Sequence, residues 1–392
     1  MPPQVGAAVS GPVASVIGMS QPPTHPALVP DEPPRPPVSP EQAPYGVPPQ
    51  GMPPQGGPLG GPPQGGFPPA APPPMPMPMP MKPLDLPLIG ADYSQTLRTP
   101  RHRWWHPLGS FGIALGLGIV VMVLGTLAVF PALIAAGGPE VLDAPEAMYD
   151  AAFESAPVIA VNNLMLAALI PVALLAVRWG HPVASRFLHS VVGRVRWGWM
   201  GRCALVLLPL YLVYVVGAWA LSGAEVLPRA EDWVWLLVMA FVLTPFQAAG
   251  EEYLFRGWVL ASVGSWFRRP LAGWIVGGVV STAIFALAHG SLDVWILIDL
   301  GAFAAAAVWL TWRTGGLEAA VALHVVNNVV VIAAGTLAGT ATESYVDPSA
   351  TGDPATALTS AVFSFLCAGL LVWQARRAGV ERTVPAEVGA RP

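Results

Sequence analysis

In the apolar stretch TPFQAAGEEYLFRGWVLASVG, two adjacent carboxylates, Glu251 and Glu252, precede an arginine, Arg256, at helical spacing. A buried charge is expensive unless it is paired, so the set asks for a structural or a chemical reason. Glu252 and Arg256 stand at i and i+4 with the acid on the N-terminal side, the favourable order for a helical ion pair, which gives both a scaffold role. Glu251 is turned about 100° away around the helix. It therefore faces elsewhere, and its neighbours at i−3 and i−4, Ala248 and Gln247, leave it space. A carboxylate facing a buried cavity can act as a general base. The plainer alternative leaves both acids solvated at a helix end.

Of the seven histidines, only His289 and His324 fall in apolar helical runs. His25 is in the N-terminal tail, His102 and His106 flank the first span, and His181 and His189 lie in a basic connection. His289 closes FALAHGSLD with Phe285 one turn before it on the same face, and His324 sits in LEAAVALHVVNNVV with Asn328 one turn after it. Either histidine alone reads most simply as a hydrogen-bonded packing residue. Separate membrane helices that each carry such a group argue for a shared polar cavity, because lipid gives no other reason to keep them. A glutamate and a histidine facing one water would make a base-activated nucleophile. A second histidine with a carboxamide would donate hydrogen bonds to a developing oxyanion, which is the division of labour for acyl hydrolysis. No G-x-S-x-G elbow is present, and Ser281 and Thr282 are not paired with a base. No H-E-x-x-H is present either.

The elements that must position these groups are membrane helices. The chain has 392 residues, of which 54% are hydrophobic and only 11% charged, and its mean hydropathy is +0.55. That is the composition of a polytopic membrane protein. The net charge of −4 is small and gives no sign of a nucleic-acid partner. Cys203 and Cys367 lie near or inside apolar runs and read as small buried hydrophobes. Most of the 46 prolines precede RTPRHRWW, in repeats such as PPQGMPPQGG. Residues 1–100 are therefore expected to be a disordered Pro/Gly-rich tail, a plain spacer or, alternatively, a ligand for a Pro-recognition module. No cleaved signal peptide is legible at the start.

Apolar runs at 109–136, 157–177, 201–222, 233–255, 271–290, 292–312, 317–338 and 358–375 give about eight spans. The expected fold is all-α, a polytopic transmembrane helical bundle over 101–380 with a short C-terminal tail at 381–392. Connections alternate in charge. One carries Glu140, Asp143, Glu146, Asp150 and Glu154, and the next carries Arg178, Arg186, Arg194, Arg196 and Arg202; Glu343, Asp347 and Asp353 share a later acidic one. The alternation places both termini in the cytoplasm by the positive-inside rule. One conflict follows. Glu251 and His289 each lie about 18 residues into consecutive spans, which would set them toward opposite membrane faces. The expected resolution is a long, tilted fourth helix continuing to about residue 262, with the HGSLD connection sunk within the protein. Asp293 and Asp299 would line such a cavity or, more simply, bond helix to helix.

In order along the chain, EEYLFR fits E-E-x-x-x-R, FALAH fits F-x-x-x-H and HVVNN fits H-x-x-x-N. Over roughly 233–338 the chain thus resembles the CPBP family of intramembrane proteases, which groups type II CAAX prenyl proteases with bacteriocin-processing enzymes. The resemblance implies an integral protein, expected in a bacterial plasma membrane, that hydrolyses a peptide bond of a membrane-associated peptide or protein. It implies that Glu251 and His289 activate water, that His324 and Asn328 form the oxyanion site, and that Glu252, Arg256 and Phe285 support them. No cofactor is required by a glutamate–water mechanism. The family's name as metalloproteases implies the alternative of Zn²⁺ on Glu251, His289 and His324. The competing functional class is a non-catalytic scaffold, immunity or transporter-like protein that uses the same polar cluster for binding.

Overall fold

The computed structural model describes residues 84–138, 155–341 and 351–389. With no water in the bilayer to satisfy a free N–H or C=O, the apolar runs close their hydrogen bonds internally as helices. In chain order these are α1 (His106–Gly137), α2 (Ala156–Ala167), α3 (Leu169–Gly180), α4 (Trp197–Ser222), α5 (Trp233–Val242), α6 (Thr244–Glu252), α7 (Leu260–Gly264), α8 (Pro270–Ala288), α9 (Val294–Thr314), α10 (Glu318–Ala338) and α11 (Pro354–Arg377). Among the described residues, seven helical runs are long and apolar enough to cross a bilayer, with α2 and α3 counted together, and the bent run α5–α7 makes eight. The all-α bundle expected from the sequence is the observed one, and described residues contain isolated β-bridges only.

The fourth span is the irregular one. Pro245, in the first turn of α6, has no N–H to donate, so the ladder breaks at Leu243 and the axis bends by 41°. After α6 the backbone runs as a π-helix over Tyr253–Val259 before α7 resumes. The expectation of a long fourth helix is met, since it ends at Gly264, and the geometry is a break rather than tilt alone. Gly250 lets this run approach α2. A Cβ there would collide with the Leu166 carbonyl oxygen, so only glycine permits the backbone contact that sets Glu251 in place.

This irregular run lies between two apolar clusters. Phe255 joins Leu207, Tyr211, Phe285, Phe303, Leu323 and Cys367 on one side. Tyr253, Trp258 and Leu260 join Val177, Phe187, Leu188 and Leu317 on the other. Cys203 and Cys367 are free and buried, as their small apolar character requires.

Two domain boundaries move. Residues 84–100 are not part of a tail: Tyr93 and Leu97 are buried, the Tyr93 hydroxyl donates to the Leu188 carbonyl at 2.6 Å, and Arg98 donates to the Ser265 carbonyl. The other end is also bound in. Val384 is buried, its N–H donates to the Ala91 carbonyl at 2.8 Å, and it accepts from Gly90 N–H. Prolines continue through Pro83, Pro87 and Pro100, which hides from composition the few apolar side chains that anchor this strap. Residues 1–83, the acids Glu140, Asp143, Glu146, Asp150 and Glu154, and Glu343 and Asp347 lie outside the described residues.

Candidate active site

The bend at Leu243 and the π-helix bring the polar residues of α6 against α10. Glu252 and Arg256 form the expected ion pair, Arg256 Nη1 to Glu252 Oε1 at 2.9 Å, and both side chains are 0% exposed. The guanidinium also stacks on Phe285, 4.1 Å from its ring centroid. Its Nε and Nη2 have no acceptor among the described residues. The pair is thus held by one ionic contact and one aromatic face.

His324 bridges the two glutamates. Its Nδ1 is 2.8 Å from Glu252 Oε1, and its Nε2 is 3.6 Å from Glu251 Oε2. A carboxylate only accepts, so the hydrogen toward Glu252 sits on Nδ1 and fixes the ring. Nε2 then faces a second carboxylate oxygen that has no other partner among the described residues. Glu252 therefore does more than pair with Arg256: it orients the imidazole.

Glu251 is buried and anchored from its other oxygen. Gln247 Nε2 donates to Glu251 Oε1 at 2.6 Å, Asn328 Nδ2 donates to Gln247 Oε1 at 3.2 Å, and Asn327 Nδ2 donates to Asn328 Oδ1 at 2.9 Å. The chain of carboxamides runs in one direction and ends on the carboxylate. Gln247 does not leave Glu251 open space; it fills that space and orients Glu251. The signal was present in the sequence, because Gln247 precedes Glu251 by four residues just as Glu252 precedes Arg256. One N–H of the Asn328 amide remains after the bond to Gln247.

His289, at the end of α8, stands apart from that network. Its Nδ1 donates to the Phe285 carbonyl at 2.9 Å, leaving Nε2 as the lone-pair nitrogen of the neutral ring. Phe285 touches both histidines, with its ring centroid 4.8 Å from His289 and 5.8 Å from His324. No hydrogen bond or ion pair joins His289 to Glu251 among the described residues. They contain no group of three or more His, Cys, Asp or Glu placed to hold a metal ion. Glu251 and His324 approach each other, but His289 is not gathered with them into such a group.

The remaining polar residues have structural partners. Asp293 caps α9 by accepting from Trp295 and Ile296 N–H, and it also accepts from Gly352 N–H. Asp299 lies beside Ser360 between α9 and α11. Ser281 donates to the Phe255 carbonyl within the π-helix. Arg196, which charge counting had placed in a basic connection, pairs with buried Glu318 (2.7 Å) and fixes the start of α10 six residues before His324.

A buried carboxylate, an imidazole with a second carboxylate behind it and a carboxamide thus meet inside a helical bundle of membrane-spanning type. Residues 232–330 match the family model described as type II CAAX prenyl endopeptidase Rce1-like. That segment, which holds α5 to α9, the first part of α10 and every motif above, is similar to the core of the CPBP family of intramembrane proteases. A relative, the uncharacterized protein YyaK of Bacillus subtilis strain 168, is 29% identical over 140 residues, which is 35% of this chain and 46% of that protein. The chain thus matches about half the length of that relative. No solved structure matches.

Proposed function

We propose that the chain is an intramembrane endopeptidase in which Glu251 takes a proton from water as the oxygen attacks a scissile peptide carbonyl. The observation that carries the reading is the bridge of His324 between Glu252 and Glu251. Glu251, Glu252, Arg256 and His324 make a buried set that is electrically neutral when one proton is shared between Glu251 and His324. Such a set can move that proton without creating net charge in a low-dielectric interior. In the forward step the C–O bond forms and the water proton passes to Glu251. The carbonyl oxygen takes up the negative charge, stabilised by protonated His324 and the free N–H of Asn328. When the C–N bond breaks, Glu251 returns the proton to the leaving amine. His289, with its Nε2 lone pair, is assigned to orienting the water. No step uses a metal.

An apolar cavity of about 640 Å³ supports a membrane-associated substrate. It is lined by α4, α5 and α10 and starts at Val329, next to Asn328. A CAAX-type C-terminus or a peptide precursor fits that chemistry. The Arg-rich connections are assigned to the cytoplasmic face of a plasma membrane. Cysteine labelling of intact cells tests the orientation: a probe placed at Gly223, in an acidic connection, should react with an impermeant reagent from outside.

Comparing cleaved peptides in membranes carrying wild type and Glu251→Gln tests the chemistry. The amide keeps the size and one hydrogen bond but not the basicity, so turnover should fall by about 10²–10⁴ while the protein stays folded. Chelators should leave wild-type turnover intact. Equal cleavage by both proteins would remove the catalytic assignment in favour of a scaffold that only binds. Loss with a chelator and recovery with Zn²⁺ would replace the metal-free mechanism.

A further inference from the structure

At the Arg-rich face, α4 and α11 border a shallow, open pocket of about 260 Å³ lined by Arg202, Val206, Trp373, Gln374, Arg377 and Ala378. Deeper in the membrane the same two helices are closed by aromatic contacts, Tyr214 stacking on Phe363 at 4.1 Å and Tyr211 meeting it edge-on at 4.9 Å. We propose that this pocket binds the headgroup of an anionic phospholipid.

Charge is the first support. Both arginines are exposed, neither has an ion pair or hydrogen bond among the described residues, and no acid lines the pocket. The Arg377 guanidinium lies over Trp373, 4.2 Å from the ring centroid, which holds it in place while leaving its N–H groups to donate. Arg377 also sits in the last turn of α11, where a cation complements the helix dipole. That explanation fails for Arg202, the sixth residue of α4, and no acid anywhere on α4 offsets its charge. An anion between the two helices would compensate it. Arg313 and Arg382, both over Trp312 at 5.5 and 5.3 Å, add to the positive potential of the same face.

The apolar perimeter is the second support, and it selects a lipid. Val213 is two turns beyond Val206 on the same face of α4, Leu366 is two turns before Trp373 on α11, and both are exposed. A ligand whose phosphate reached Arg202 and Arg377 would therefore lay its chains along an apolar groove. Basic pockets between membrane helices hold anionic headgroups in this manner, and two cations on facing helices suit one phosphate.

The test uses the full chain in detergent with an equal mixture of phosphatidylglycerol and phosphatidylcholine, and reads retained lipid by native mass spectrometry. Wild type should retain phosphatidylglycerol preferentially. R202Q/R377Q should lose the preference, R202K/R377K should keep it, and R103Q/R269Q, which removes two cations elsewhere, should leave it unchanged. Inorganic phosphate at millimolar concentration should not displace the lipid. Three results would each overturn the site: preference persisting in R202Q/R377Q, an equal loss in R103Q/R269Q, or displacement by phosphate alone. The lysine pair guards against a folding artefact, because failure of R202K/R377K to retain phosphatidylglycerol counts against the proposal as well.

Discussion

Two sets of imidazoles stand in this molecule around buried His324 and buried His181, and they are held in opposite ways. His324 has a carboxylate on each side, at 2.8 and 3.6 Å. His102, His106 and His181 gather near the start of α1 with ring centroids 5.8 to 6.3 Å apart. There, both nitrogens of His181 and Nδ1 of His102 lack any partner among the described residues. Burial alone makes an imidazole inert and neutral, whereas burial between anions lets it carry charge and move a proton. The environment, and not the residue type, separates a site from a packed surface.

The largest expected effect comes from removing the anion that both ionic contacts share. Glu252→Gln leaves Arg256, which is 0% exposed, without a counterion. The loss should be about 3–5 kcal/mol, read as a lower melting temperature of the detergent-purified protein. Turnover should fall too, because a neutral amide oxygen holds the His324 ring without the charge that favours its protonated form. The double variant Glu252→Gln/Arg256→Met removes the stranded charge, so stability should return while turnover does not. Recovery of both would reduce Glu252 to a scaffold residue.

The carboxamide chain gives the next effect and sharpens the comparison from the other side. Asn328→Ala removes an oxyanion donor and should lower kcat by about 10²–10³. Gln247→Ala removes only the bond that orients Glu251, so the loss should be smaller, about 10- to 100-fold, which is the range for a hydrogen bond to a charged group. Kinetics on one cleaved substrate rank them. If Gln247→Ala were the more damaging, Asn328 would act through Gln247 and not on the substrate.

How much of this was legible follows from which forces are local. Eight spans and the Glu252–Arg256 pair could be read from hydropathy and i, i+4 spacing, because both depend on neighbours in sequence. The depth conflict between Glu251 and His289 was legible as a conflict, and Pro245 carries its cause, yet neither the 41° bend nor the π-helix has a spacing signature. The double role of Glu252 was not legible, since its second partner, His324, is 72 residues away. Nor was the packing of 84–100, where Tyr93 and Leu97 reach burial through contacts far along the chain. His181 read as one more residue of a basic connection.

That last misreading leads to the smallest expected effect, one on acid stability. Burial pulls the His181 imidazole down to about 3, helped by the nearby charges of His102 and His106. Burial likewise pulls His102 down to about 4, reinforced by Arg98 and His106 and opposed by its bond to the Leu97 backbone. An unfolded histidine titrates near pH ~6.5, so between that value and the folded ones the unfolded chain binds the extra protons. Stability from these groups is therefore complete above pH ~6.5 and is lost as the pH falls toward 4, with His181 contributing a slope of at most about 1.4 kcal/mol per pH unit. His181→Leu places an apolar side chain where two nitrogens now lack partners, and it removes one titrating group. Its melting temperature at pH 7 should equal or exceed that of wild type, and the decline between pH 6.5 and 4 should be shallower. His324, held between carboxylates, should give no such gain when replaced by leucine. A His181→Leu protein that melts earlier at pH 7 with an unchanged acid slope would show that the cluster, like the active site, holds its imidazoles by hydrogen bonds, and the contrast between the two regions would not stand.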